Sequence, residues 1–417
     1  MTRPTAPDPE VLGRELAQRG CDALVVLAAS ARDPDLAPFV GPVHLGAAFL
    51  LLPRPGVRSG GVLGYFSPME REEAAKTGYD LLTPQELEME RLRREHPAPG
   101  ALWSRVLLRA LDLAGLPAGR LAVAGHLGAG HAVAVAPVLE KAGRSLEGGH
   151  EVVRMLRKLK PPEQVAEIRR AARGTTAAFD RVAQVLAHAV RGSGAAEGTL
   201  LFEGEPLTVG RLRGEVFRLL ADHGLEQPEG NIIAPAEEGA VPHSIGTNDR
   251  ALRAGESLVV DLFPRAGLFA DCTRTFCVGR PPEALAAAHE AVREALETSR
   301  RKLRPGVRGW DLQEGVCERF QALGYPTHES DPESEEGYVH NLGHGVGHEL
   351  HEYPSFRKEA EGPEAILAAG DVVTLEPGLY SPSQGWAVRL EDLLVLGDDG
   401  IAEDLTPLPY DLDPRAW

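Results

Sequence analysis

Four carboxylates of this chain stand within or at the ends of apolar runs of strand length. They are Asp261 in SLVVDLF (257–263), Asp271 in LFADCTRTF (268–276), Glu376 in VVTLEPGLY (372–380) and Glu391 in WAVRLED (386–392). Taking an ionised carboxylate out of water is expensive unless it is paired, hydrogen-bonded or bound to metal. A fold that buries these runs must supply positive charge where the acids emerge. Asp261 and Asp271 lie ten positions apart, and two strands joined by a short turn at 264–267 would bring them to one spot. Like charges so placed repel strongly unless a cation sits between them. Cys272 would then face the opposite side of its strand, as a packed thiol. Taken singly, each acid also reads as an ordinary strand-end carboxylate; the set is what points to metal.

The segment HNLGHGVGHELHE (340–352) places His340, His344, His348 and His351 within twelve positions. A helix would align them on one face, but Gly343, Gly345 and Gly347 favour a glycine-rich hairpin or loop in which the imidazoles converge. The spacing is not that of HExxH. Two Asp, two Glu and one His make five hard or borderline ligands, a set suited to two divalent ions such as Mn²⁺, Co²⁺ or Zn²⁺.

A chain of 417 residues exceeds a single small core. Residues 10–150 alternate helical and strand-length patterns: Glu10–Arg19 a helix, Asp22–Ala28 and Ala47–Leu52 strands, Gln85–His96 a solvated helix, Ala101–Ala114 an amphipathic helix, Arg120–Ala124 a strand. That alternation predicts an α/β domain over 1–150. His126, His131 and His150 are scattered and read as loop or surface imidazoles. The polar, glycine-rich AGRSLEGGHE (142–151) predicts a domain boundary. Beyond it, 151–417 reads as a mixed α+β domain. Helices are expected from Pro161-Pro162 toward Val190, with Gly174 a weak point, and over Pro282–Leu303 and Trp310–Leu323. Consecutive strands are expected over Asp371–Leu396. A net charge of −17 weighs against nucleic-acid binding, which needs a basic face. No apolar stretch approaches the roughly 20 residues that span a bilayer. Four cysteines without a CxxC pair make no disulfide framework, and the first residues lack a secretory pattern, so the expected location is a reducing cytoplasm.

The order Asp, Asp, His, Glu, Glu with these flanks resembles the pita-bread metallopeptidase family, which includes prolidase, aminopeptidase P, methionine aminopeptidase and creatinase. VVDLFP…LFADCTRTF matches with Asp261 and Asp271, LGHGVGHELHE with His344, TLEPGLY with Glu376 and VRLED with Glu391. His348, and Leu262-Phe263-Pro264 after the first Asp, depart from the family's usual pattern. The resemblance implies a pita-bread catalytic domain over 151–417, preceded by a creatinase-type α/β domain over 1–150. It implies two divalent ions, Mn²⁺ first and Co²⁺ or Zn²⁺ otherwise, with Asp271 and Glu391 bridging them, Asp261 on one, and His344 and Glu376 on the other. It further implies hydrolysis of Xaa-Pro bonds by a metal-bridging hydroxide, with Glu376 as general base and His351 and His243 as hydrogen-bond donors. His340 and Arg389 are expected on the substrate side; Arg389 reads almost equally as a counter-charge to the acids. The expected partner is a peptide with proline second, and the expected assembly a homodimer. A creatinase-like C–N hydrolase or a non-catalytic binding protein of the same fold are the alternatives.

Overall fold

A computed structural model describes residues 7–194 and 197–417. They form two compact units that divide after Arg157. Among the described residues, the first unit carries a six-stranded sheet: β1 (Ala23–Ala28), β2 (Ala48–Pro53), β3 (Val62–Tyr65), β4 (Asp80–Leu82), β5 (Arg120–Ala124) and β6 (Ser145–Gly148), in the order β4-β3-β2-β1-β5-β6. β1 runs antiparallel to β2 and parallel to β5, and β5 runs parallel to β6. Strand side chains alternate between faces. Val25 and Leu51 therefore join Trp103, Val106 and Leu107 of helix Pro99–Leu113 in one core. Leu24, Val26 and Leu50 meet Leu12, Leu16, Val152 and Val153 on the other face. A sheet covered on both sides explains why the strand ALVVLA (23–28) is apolar throughout.

Two local expectations change. Only Met89–Glu95 of the segment 85–96 is helical, and Met89 and Leu92 are buried, three apart on one face of that short turn. The polar segment read as a boundary contains β6, an edge strand of sequence SLEG, and helix His150–Leu156 then buries Val152 and Val153 in the first unit. The units meet seven positions beyond 150 because those two valines, not the glycines before them, belong to a core.

In the second unit helix Pro162–His188 opens with proline and Glu163 in its first turn. Ile168, Ala171, Ala172, Thr175, Ala178, Phe179, Val182 and Leu186 form its buried stripe. The helix passes through Gly174 unbroken. A Cβ there would overlap the Leu225 side chain, so the glycine serves close packing. A small sheet joins β7 (Val190–Arg191), β8 (Leu200–Phe202) and β9 (Glu205–Pro206). Three antiparallel strands follow in the order β10 (Asn231–Pro235), β11 (Leu258–Leu262) and β12 (Cys272–Phe276). A five-stranded sheet has the order β14-β13-β15-β18-β19, formed by β13 (His344–Gly345), β14 (Glu352–Ser355), β15 (Val372–Leu375), β18 (Asp392–Leu396) and β19 (Ala402–Asp404). β16 (Gly378–Ser381) pairs with β17 (Trp386–Arg389). Helices Glu283–Lys302 and Gly309–Ala322 share a core with these strands through Leu285, Val292, Leu296, Val316 and Phe320 against Val373, Leu379, Val388 and Leu394.

The histidine-rich segment is the expected hairpin. Gly345 pairs with both Glu352 of β14 and Val373 of β15, and a Cβ on it would overlap the Tyr353 carbonyl. Two fully buried ion pairs fix this region to the start of the unit: Lys158 Nζ to Asp371 Oδ2 at 2.7 Å, and Lys160 Nζ to Glu352 Oε1 at 2.5 Å. Removing one member of such a pair strands the other charge. Lys160→Met should therefore cost about 3–5 kcal/mol in guanidinium unfolding, and the joint change with Glu352→Met should recover most of it. Equal losses in the single and double variants would refute this.

Candidate metal centre

The acids converge because their strands meet end to end. Asp261 lies in β11 opposite Thr273 of β12, and Asp271 immediately precedes β12. Glu391 N donates to Thr273 O at 3.0 Å, which joins β12 to the link between β17 and β18. Glu376 follows β15, and its N–H donates to Leu342 O at 2.7 Å, next to the histidine hairpin. One ligand atom each from Asp271, His344 and Glu391 lies within 4.8 Å of the others. His344 Nε2 is 3.6 Å from Asp271 Oδ2 and 3.4 Å from Glu376 Oε1. Asp261 Oδ2 accepts from Arg389 at 2.6 Å.

This geometry is electrostatically overloaded with negative charge. Burial, and then the charges of Glu391, Asp261 and Glu376, hold the Asp271 carboxyl well above the usual range. Burial and then Glu376 and Asp261 do the same to Glu391. Glu376 is pushed up to about 8, chiefly by burial, against the pull of Arg389. Asp261 Oδ1 and Asp271 Oδ1 are buried and accept no hydrogen bond. Burial pulls His344 down to about 3, with help from His351, whose ring centroid is 4.3 Å away. The Gly345 carbonyl accepts from His344 Nδ1 at 3.1 Å, which places the proton there and leaves the Nε2 lone pair facing Asp271 and Glu376. Orphaned buried oxygens, repelling acids and an unprotonated imidazole form a donor set that fits divalent cations.

A profile of metallopeptidase family M24 matches residues 166–398. The chain belongs to that family. An Xaa-Pro dipeptidase of Pyrococcus furiosus is 32% identical over 214 residues, 50% of this chain and 57% of that protein. A probable dipeptidase PepE of Mycobacterium tuberculosis is 28% identical over 265 residues, 63% of this chain and 62% of that one. The chain thus spans little more than half the length of the curated relatives it matches. Among solved structures, the prolidase of Pyrococcus horikoshii superposes with a TM-score of 0.71 at 20% identity, over 97% of this chain and 99% of that one. An aminopeptidase P of Escherichia coli gives 0.70 at 20% identity, over 99% and 98%. The fold is the pita-bread fold of these enzymes, and M24 membership accords with the carboxylate and imidazole set found here.

Around this M24 centre the structure places the remaining sequence-derived residues as follows. Arg389 is buried, and its donors go to protein: Nε to Thr273 Oγ1 at 3.2 Å, one amino group to Tyr380 Oη at 2.8 Å and Pro242 O at 3.2 Å, the other to Asp261. His243, exposed, follows the Pro242 carbonyl that Arg389 holds. His340 Nδ1 donates to Asn341 O at 2.8 Å, so its Nε2 accepts from the Tyr380 hydroxyl at 2.9 Å. Burial first, then Arg389, pull His340 down to about 3. His351 is exposed at its outer edge and His348 is half-buried. Two residues escaped sequence reasoning. Thr273 donates to Glu391 Oε2 at 2.7 Å, and Tyr380 couples Arg389 to His340. Thr273 was detectable, since period two puts Asp271, Thr273 and Thr275 on one strand face.

These shifts set the pH response without metal. Between the ordinary carboxyl value of 4.5 and about 8, the folded chain holds a proton on Glu376 that the unfolded chain has lost. Stability therefore falls as pH rises through that window. His340 and His344 act oppositely between about 3 and 6.5, since only the unfolded chain protonates them. Chelator-treated protein should lose thermal stability from pH 6.5 to 8. Mn²⁺ at about a hundredfold over its Kd should add about 2.7 kcal/mol and abolish that decline. An unfolding midpoint indifferent to both chelator and Mn²⁺ would exclude a metal centre here.

Proposed function

We propose that this chain is an Xaa-Pro peptidase, a dipeptidase or an aminopeptidase, that works with two divalent cations, Mn²⁺ first. The observation that carries the reading is the buried convergence of Asp271, His344 and Glu391, with Glu376 at 3.4 Å from His344, inside an M24 frame. The names of the Pyrococcus relative and of the solved prolidase support the substrate class. Asp261, Asp271, His344, Glu376 and Glu391 would hold the ions. When bound, such a pair supplies Lewis-acid activation of water and of the scissile carbonyl.

The chain's own residues supply the proton handling and the positioning. Glu376, next to the histidine hairpin and 3.4 Å from His344 Nε2, is placed to take a proton from the attacking water. An Xaa-Pro amide nitrogen carries no hydrogen, so the departing proline must receive a proton, and Glu376 can return the same one. His351 and His243 lie at the exposed edge and would donate hydrogen bonds to the developing tetrahedral oxygen and its flanks. His340, fixed by Tyr380 and Asn341, lines the substrate side. Arg389 positions Asp261 and Tyr380 and so acts on substrate through them.

The proposal extends to a homodimer in the cytoplasm. Family resemblance supports the dimer. The four cysteines, all free and buried, suit a reducing compartment. Among the described residues no helix is long and apolar enough to cross a membrane. Purified protein with Mn²⁺ should cleave an Xaa-Pro dipeptide or an Xaa-Pro-Yaa tripeptide, and their ratio decides between dipeptidase and aminopeptidase. Glu376→Gln should lower kcat by about a thousandfold. If neither peptide is cleaved under Mn²⁺, Co²⁺ or Zn²⁺, the assignment fails.

A further inference from the structure

Outside the acids just described, the first unit gathers a second set of metal-ligating side chains. Asp33 and Asp35 lie in the loop after β1, His126 two residues after β5, and His150 two residues after β6. β1, β5 and β6 are parallel neighbours, so all four side chains sit beyond the carboxyl ends of adjacent parallel strands. In open α/β sheets this is where ligands bind. Sequence reading assigned both histidines to unconnected loops; they are 93 and 115 positions from their partners.

The carboxylates are buried and the imidazoles reach solvent: side-chain exposure is 5% for Asp33 and 2% for Asp35, against 50% for His126 and 43% for His150. Asp33 Oδ1 accepts from Asp35 N at 2.9 Å and His126 Nδ1 at 3.1 Å, and Oδ2 from His126 N at 2.8 Å. Asp35 Oδ2 accepts from Gly125 N at 2.9 Å and His150 Nδ1 at 3.2 Å. Asp35 Oδ1 accepts no hydrogen bond, and the guanidinium of Arg157 stands 3.6 Å from it. One ligand atom each from Asp33, Asp35 and His126 lies within 4.8 Å of the others, and the two imidazole centroids are 6.0 Å apart at 89°.

We propose that Asp33, Asp35, His126 and His150 form a second divalent-cation site, for a borderline ion of the zinc class, separate from the M24 centre. Ligand bonds of about 2.0–2.1 Å in a tetrahedron set neighbouring donors about 3.3–3.4 Å apart, close to the two Nδ1–carboxylate distances. Backbone N–H groups already reach three of the four loop carboxylate oxygens, so turn formation alone does not call for two imidazoles. Two carboxylates beside one guanidinium leave one net negative charge, and His126, with His150 next to it, adds imidazole nitrogen for a borderline cation. On binding, each ring gives up its Nδ1 proton, to Nε2 or to solvent where Nε2 already carries one, and offers the Nδ1 lone pair. Half-exposed imidazoles give the ion a path from solvent.

The test is zinc titration of chelator-stripped full-length chain by native mass spectrometry and calorimetry, with ZnCl₂ as the only added metal. Three proteins are compared: wild type, His126→Ala/His150→Ala, and Asp271→Asn/Glu391→Gln, which disables the other centre. Wild type should take up one zinc more than His126→Ala/His150→Ala, or bind that ion about a hundredfold more tightly. Asp271→Asn/Glu391→Gln should retain the same ion, and its zinc absorption spectrum should report two imidazole ligands. Equal zinc uptake and affinity in wild type and His126→Ala/His150→Ala overturns the site. So does an Asp271→Asn/Glu391→Gln protein without bound zinc, or one whose zinc has no imidazole neighbours, and these readouts hold even if the histidine variant folds poorly. None of these outcomes depends on peptidase activity, so the Xaa-Pro reading stands or falls separately.

Discussion

Mutual repulsion among buried acids governs the second unit. Asp261, Asp271 and Glu391 are each less than 10% exposed, and Glu376 joins them. No apolar core would tolerate that concentration of charge without compensation. Protein side chains supply part of it. Arg389 spans Asp261, Thr273 and Tyr380, and Thr273 passes a hydroxyl to Glu391. Among what these groups leave without a hydrogen bond are two buried carboxylate oxygens, on Asp261 and Asp271, and the Nε2 lone pair of His344, whose chemistry is that of a cation's ligands. The centre is thus incomplete as a protein structure and complete only as a receptor for charge.

Such a centre needs a stiff frame, because its own groups push apart. Arg274 provides one from behind. Fully buried, it donates to the Glu391, Pro409 and Leu408 carbonyls and to Asp392 Oδ1 at 2.9 Å. Asp392 also accepts from Arg300 and from the Tyr410 hydroxyl. Glu391 is therefore aimed by its own chain neighbour: the next residue is tied into an arginine network, and Glu391 N is tied to Thr273 O. On the histidine side, the Lys158–Asp371 and Lys160–Glu352 pairs play the same part for β14 and β15. At Glu391 the residue that does the holding is its neighbour in sequence; on the histidine side the holding acids are Asp371, just before β15, and Glu352, in β14.

Much of this was legible from local pattern. A carboxylate ending an apolar run carries the signature of desolvation, and four such runs sufficed to nominate Asp261, Asp271, Glu376 and Glu391. Gly343, Gly345 and Gly347 argued against a helix and for a hairpin or loop; the close backbone approach of Gly343 to Thr374 and of Gly345 to Tyr353 appears only in the structure. The roles of Tyr380 and Arg274 were not legible. Each acts across sequence separations that no periodicity spans: Tyr380 meets His340 40 positions away, and Arg274 meets Asp392 118 positions away. The compact units divide seven positions beyond the expected boundary for a similar reason. Ser145–Gly148 has the composition of a linker, and its membership in the sheet comes only from pairing with β5.

The two acid clusters show why one site announces itself and the other does not. Asp261 stands among valines and leucines, so its burial follows from its neighbours in sequence. Asp33 and Asp35 stand in RDPDLAP, a run that any reading assigns to a turn, where acids accept backbone hydrogen bonds at no desolvation cost. They are buried all the same, because the loops after β5 and β6 close over them and bring Gly125, His126 and His150 to their oxygens. Sequence reports burial that arises within a segment. It is silent where burial is imposed by another segment, and in an α/β sheet the carboxyl ends of the strands are the place where that happens.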